Sequence, residues 1–186
     1  MSKRHAQPPL IIGIGGTLRE ASSTELAIRA VLDRAVLLGA EALMFTGAEI
    51  NFPNFVPGVG VHDTAIDRFL EAIRRSHMLV IGSPGYHGGI SGLVKNALDY
   101  TEYLSKEERP YFDGRPVGCI ATGAGWQGAN ATLVALRQVV HALRGWPTPM
   151  GIAANSTVPL FASDGQCVNE ELKGQVQIMA EQLMAF

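Results

Sequence analysis

The sequence predicts an α/β protein built on one doubly wound parallel sheet. Five short apolar runs read as buried strands, and the stretches between them carry apolar residues at helical spacing. The two periods alternate along the chain, which is the signature of repeated strand–helix units. The strand runs are continuously apolar rather than alternating, so both faces of the sheet are expected to be covered, with right-handed crossovers placing helices on each side.

The first strand lies in "LIIGIG" and is followed by a helix with Ile28, Val31, Leu32, Ala35 and Leu38 on one face. Ser22, Ser23 and Thr24 are available as N-caps of that helix, and Gly39 is placed to end it. Ala42 to Phe45 reads as the second strand. The Pro- and Gly-rich loop "NFPNFVPGVG" then leads to a helix with Ile66, Phe69, Leu70 and Ile73 aligned. "MLVIGSP" is the third strand, Ser91 to Leu104 the third helix, "VGCIAT" the fourth strand and Ala131 to Leu143 the fourth helix, with Leu133, Leu136, Val140 and Leu143 on its apolar side. "PMGIAA" and a helix bearing Leu172, Val176, Met179 and Leu183 close the pattern.

Composition narrows the function. The 186 residues suit one domain spanning 1–186, with residues 1–8 expected as a loose tail. Hydrophobic residues make up 47% and charged residues 17%, the profile of a globular chain. A formal charge of −2 provides no field for nucleic acid or an anionic membrane surface. Cys119 and Cys167 stand far apart, and the histidines at 5, 62, 77, 87 and 141 show no ligand spacing, so no metal site is expected. With no signal peptide or membrane span in view, the expectation is a reduced, cytoplasmic protein.

In doubly wound sheets ligands sit beyond the carboxyl ends of the strands, where the strand order reverses. Three loops fall there. "GGTLREASST" sets Thr17, Ser22, Ser23 and Thr24 with Arg19 at a helix start, a donor-rich arrangement suited to a phosphate, although any one hydroxyl would serve equally as an ordinary cap. "SPGYHGGISGLVKNALDY" has small residues, Ser83, Pro84, Gly85, Gly88 and Gly89, around Tyr86 and His87, which suits close approach to a flat heterocycle. "TGAGWQGAN" repeats the pairing of glycines with an aromatic through Gly123, Gly125 and Trp126. Lys95, Asn96 and Asp99 follow on a helix, where Lys95 and Asp99 read more simply as surface or subunit contacts.

Better-known loops do not fit. "GIGGTL" has Leu18 where the third glycine of a dinucleotide fingerprint belongs, and Gly-Lys-Ser/Thr never occurs. "IGSPG" has Ile81 and Pro84 where a nucleophile elbow would differ.

Assembled, these residues resemble the NADPH-dependent FMN reductase family. Its first loop, approximately G-S-x-R-x-x-S-x-N, is matched by Gly16, Thr17, Arg19, Ser22 and Thr24, the two threonines keeping hydroxyl donors. Its third-strand signature, approximately T-P-E-Y-N-x-x-x-x-G-x-L-K-N-x-x-D, is matched by Ser83, Pro84, Tyr86, Gly92, Lys95, Asn96 and Asp99, with Gly85 replacing the glutamate and His87 the asparagine. The resemblance implies a flavodoxin-like sheet of order 2-1-3-4-5 and FMN as cofactor with its phosphate on the first loop. It also implies NADPH or NADH as hydride donor, with flavin either held or released as reduced FMN to a partner monooxygenase. Hydride passes directly between the two cofactors, so no side chain is assigned as acid or base. Quinones, azo dyes or metal oxyanions are alternative acceptors. A non-enzymatic flavodoxin-type carrier is the competing class, disfavoured by the near-neutral charge. The apolar loop 51–60 and the segment "YTEYL" suggest a homodimer or homotetramer, in keeping with the family.

Overall fold

The computed structural model describes residues 7–59 and 63–186. Residues 1–6 of the expected tail and residues 60–62 lie outside the described part. The elements are β1 (Leu10–Gly15), α1 (Ser23–Leu37), β2 (Glu41–Thr46), α2 (Thr64–Arg75), β3 (Met78–Tyr86), β4 (Gly89–Ile90), α3 (Gly92–Asp99), β5 (Pro116–Gly123), α4 (Trp126–Ala142), β6 (Trp146–Asn155) and α5 (Glu170–Ala185). Five strands pair in parallel in the order β2-β1-β3-β5-β6, and β4 is a two-residue strand antiparallel to the end of β3. With that small strand set aside, this is the expected 2-1-3-4-5 order.

The period-two geometry of the strands divides the core into two layers. Ile12, Ile14, Leu79, Ile81, Val117 and Cys119 pack with Phe69, Leu98, Leu136 and Val140 on the α2, α3 and α4 side. Ile11, Val80, Ile120 and Ile152 face Ile28, Val31, Leu172, Val176 and Met179 of α1 and α5. The central strands are therefore buried on both faces, while β2 and β6 are edges with exposed positions.

Helix ends follow the expected chemistry. Ser22 caps α1 by accepting from Glu25 N–H at 3.3 Å, and Gly39 follows its end at φ +99°. The C-terminal carbonyls of α2 are met from outside the helix. The buried Arg115 guanidinium donates to Arg74 O at 3.1 Å and Ser76 O at 3.0 Å. Burial, and then the neighbouring Arg109 charge, pushes Arg115 down to about 10, still protonated at neutral pH.

Two helix boundaries differ from expectation. The third helix stops at Asp99 and tightens into a 3₁₀ turn over Tyr100–Leu104, where the Thr101 hydroxyl donates to Leu98 O at 2.7 Å. The fourth begins at Trp126 rather than Ala131, so all of "WQGAN" is helical. Among the described residues no helix is long and apolar enough to cross a membrane.

Candidate active site

The sheet reverses direction of winding between β1 and β3, and the two strands stay paired to their carboxyl ends at Gly15 and Gly82. Gly15 makes this possible: at φ +140° its missing Cβ would fall 1.9 Å from Gly82 O, so only glycine lets the strand ends run this close. Beyond them opens a cleft of about 570 Å³. Gly16, Thr17, Leu18 and Arg19 form one wall, and Pro84, Tyr86, Ser91, Gly92 and Leu93 form the other.

The first wall is a shaped turn. Thr17 Oγ1 accepts from Arg19 N–H at 3.1 Å, Ala21 adopts the left-handed φ of +51°, and its N–H donates to Glu25 Oε2 at 3.1 Å. The first-turn N–H groups of Ser23 and Thr24 have no acceptor among the described residues, as expected at a helix start. The exposed Arg19 guanidinium likewise has no side-chain partner among the described residues. Two of the hydroxyls are turned to internal use. Ser22 is buried and spent on its cap, and Thr24 Oγ1 shares a hydrogen bond of 2.6 Å with Thr122 Oγ1, fastening α1 to the end of β5. Thr17 faces the cleft, and Ser23 is half-buried.

The second wall is a hairpin. Tyr86 pairs with Gly89 across His87 and Gly88, which take φ values of +51° and +80°, the geometry of a two-residue type I′ turn. Tyr86 stands 56% exposed at the cleft. Ser83 does not reach the opening. It is fully buried, donating to Pro84 O and accepting from Ser91 N–H, both at 2.9 Å, so it ties β3 to the start of α3. Gly85 also turns inward. A Cβ there would lie 2.7 Å from Thr132 Oγ1 and 3.0 Å from Gly128 O, so α4 rests directly on the hairpin. The Thr132 hydroxyl completes the contact by donating to Gly89 O at 3.2 Å.

The third loop stands beside the cleft. Gly123 O accepts from Ser156 N–H at 2.8 Å, Gly125 opens α4 at φ +136°, and Trp126 is exposed on its first turn. Thr122 is paired with Pro84 in the sheet, which sets this loop next to the hairpin. Of the downstream motif, Lys95 and Asp99 form an ion pair at 2.6 Å. Asn96 clamps the apolar loop: it accepts from Phe55 N–H at 2.8 Å and donates to Phe52 O and Pro53 O at 3.1 and 3.0 Å.

Sequence reading did not single out Leu18, Ser91 or Leu93 as cleft residues, nor Glu25. Leu18 and Leu93 are ordinary apolar letters whose exposure only the fold reveals. Glu25 carried a signal: Ser22 followed three residues later by glutamate is the spacing of a capping box.

A parallel doubly wound sheet with an anion-ready helix start and an apolar cleft at its reversal defines a flavodoxin-like nucleotide-binding protein. The fold is similar to that of FerB, a flavoenzyme NAD(P)H:(acceptor) oxidoreductase from Paracoccus denitrificans, with a TM-score of 0.78 at 18% identity over 95% of this chain and 98% of that one. The model of the NADPH-dependent FMN reductase family matches residues 9–158, and the chain belongs to that family. It is therefore an oxidoreductase, with FMN and NADPH as the cofactors of its class. Similar curated proteins are named FMN-dependent NADPH-azoreductase. That of Staphylococcus haemolyticus is 28% identical over 74% of this chain and 71% of its own length. That of Staphylococcus aureus is 26% identical over 92% of this chain and 91% of its own.

Proposed function

We propose that the cleft between residues 16–19 and the β3–β4 hairpin holds FMN, its phosphate on the turn from Thr17 to Thr24 and its ring along Pro84 to Gly89. The observation that carries this is Arg19 at the cleft, without a side-chain partner among the described residues, on the turn that leads into the N–H groups at the start of α1 that have no acceptor there either, a donor set suited to a dianion. The apolar wall of Leu18, Pro84 and Leu93 suits a flat ring, and the volume is that of a small-ligand pocket. When bound, FMN supplies the centre that takes hydride from the nicotinamide and hands electrons on. The chain's own residues bind and orient. Arg19 and the turn fix the phosphate, the hairpin limits the ring's position, and the exposed Tyr86 at the cleft and Trp126 on the neighbouring loop are aromatic surfaces on which a second planar molecule can stack.

The names of the relatives support an azo compound or a similar small planar acceptor as the final recipient. Phe55, Val56, Val59 and Tyr103 leave an apolar strip partly uncovered, which supports self-association as a homodimer or homotetramer. The test is Arg19→Ala, titrated with FMN and with riboflavin. Losing a charge-assisted contact to phosphate should weaken FMN by about 1.5–3 kcal/mol and leave riboflavin nearly unchanged. Equal losses for both, or failure of NADPH to bleach the flavin anaerobically, would overturn the assignment.

A further inference from the structure

We propose that Glu25 is the positioning residue that gives the phosphate-binding turn its shape, an inference that rests on the assignment of FMN to this cleft. The turn between Gly16 and Ser22 contains a strained residue, since Ala21 sits at φ +51°, a left-handed conformation that alanine seldom adopts. What holds it there is a carboxylate from the helix below. Glu25 Oε2 accepts the Ala21 N–H at 3.1 Å, while Oε1 takes Arg29 Nη2 at 3.1 Å.

The placement has two consequences. The Glu25 side chain is only 13% exposed and packs beneath the turn, its Cβ 3.5 Å from where a Cβ on Gly16 would lie, so the carboxylate is fixed in place although its hydrogen bond to the exposed Ala21 is at the surface. Arg29 balances the carboxylate, so an acid close to an anion site shapes the turn without adding net negative charge to it. The Ala21 N–H is thereby withdrawn from ligand binding. The donors left for an anion are the N–H groups of Ser23 and Thr24, with Arg19 carried on the part of the turn that Glu25 holds down.

Glu25→Ala removes the acceptor, whereas Glu25→Gln keeps an oxygen that can take the Ala21 N–H. The expected result is FMN affinity lowered about tenfold in Glu25→Ala, restored to within about threefold in Glu25→Gln, with riboflavin affinity steady in both. A purely structural role would lower the two affinities together and follow the loss of thermal stability, so the FMN-to-riboflavin ratio is the deciding readout. An unchanged ratio in Glu25→Ala, or a glutamine variant as impaired as the alanine one, overturns the positioning role. Arg19→Ala run alongside separates the two levels. If it discriminates FMN from riboflavin and Glu25→Ala does not, only the role of Glu25 falls. If Arg19→Ala fails to discriminate, the phosphate assignment falls and takes this role with it.

Discussion

Gly85→Ala probes how the hairpin is held against α4. The backbone at 85 is not left-handed, so alanine meets no conformational penalty and the cost is steric. Its Cβ would lie 2.7 Å from Thr132 Oγ1 and 3.0 Å from Gly128 O. Both are carbon–oxygen approaches, the first too short for any Cβ to keep and the second tighter than an ordinary contact, so the neighbours must give way by a few tenths of an ångström. Neither neighbour yields easily. Thr132 is fully buried and rotating its hydroxyl away would strand Gly89 O, while Gly128 O belongs to helix backbone. Overpacking of this kind costs about 1–3 kcal/mol. In a domain of this size a loss of about 2 kcal/mol lowers Tm by roughly 4–8 °C. Urea denaturation followed by tryptophan fluorescence measures it, with Trp126 on the first turn of the displaced helix. In a Thr132→Ala background the closer contact is gone, so the same substitution should cost less by about 0.5–1 kcal/mol. Gly88→Ala is the contrast: nothing lies within 4 Å of its Cβ, and the expected loss of about 1 kcal/mol comes from φ +80° alone. If Gly85→Ala loses flavin binding but no stability, and shows no coupling to Thr132, glycine 85 faces the ligand and the packing argument is wrong.

Asn96→Ala should free the loop from Phe52 to Phe55 by removing three hydrogen bonds, costing about 2 kcal/mol and opening a cut within 51–59 to limited proteolysis; an uncut loop would show that the apolar cluster holds it without Asn96. The two thiols should differ sharply. Cys119 is fully buried and burial pushes it up to about 12, so a thiol reagent should modify only the half-buried Cys167 in the native protein and both cysteines in denaturant. Because the folded value of Cys119 lies above its ordinary 9.0, its contribution is fully present below that pH and is lost as pH rises toward about 12. Cys119→Ala should therefore flatten the fall of stability above pH 9, and an unaltered slope would refute this.

The order of strands and helices was open to reading because each element repeats one short-range pattern. Ile66, Phe69, Leu70 and Ile73 fall on one helical face and are all buried, and the continuous run of β3 is buried through Pro84. Ser22 and Gly39 marked the ends of α1 by local backbone chemistry that needs no partner elsewhere. The turn around Arg19 and the hairpin at Tyr86 were visible for the same reason: glycines, hydroxyls and one cation crowd into a few consecutive positions. Which of those side chains look outward was decided only by contacts distant in sequence. Thr24 is taken by Thr122, 98 residues away, and Asn96 is taken by the loop 41–44 residues before it. Gly85 reads as room for a ligand until α4 arrives to fill it, and "WQGAN" reads as loop until the fold shows it as the first turns of α4, whose Gly128 carbonyl lies against Gly85. Local sequence determines the conformation a segment can adopt, whereas a donor or a vacant Cβ position is assigned to ligand or to protein by whichever atom the fold brings within reach.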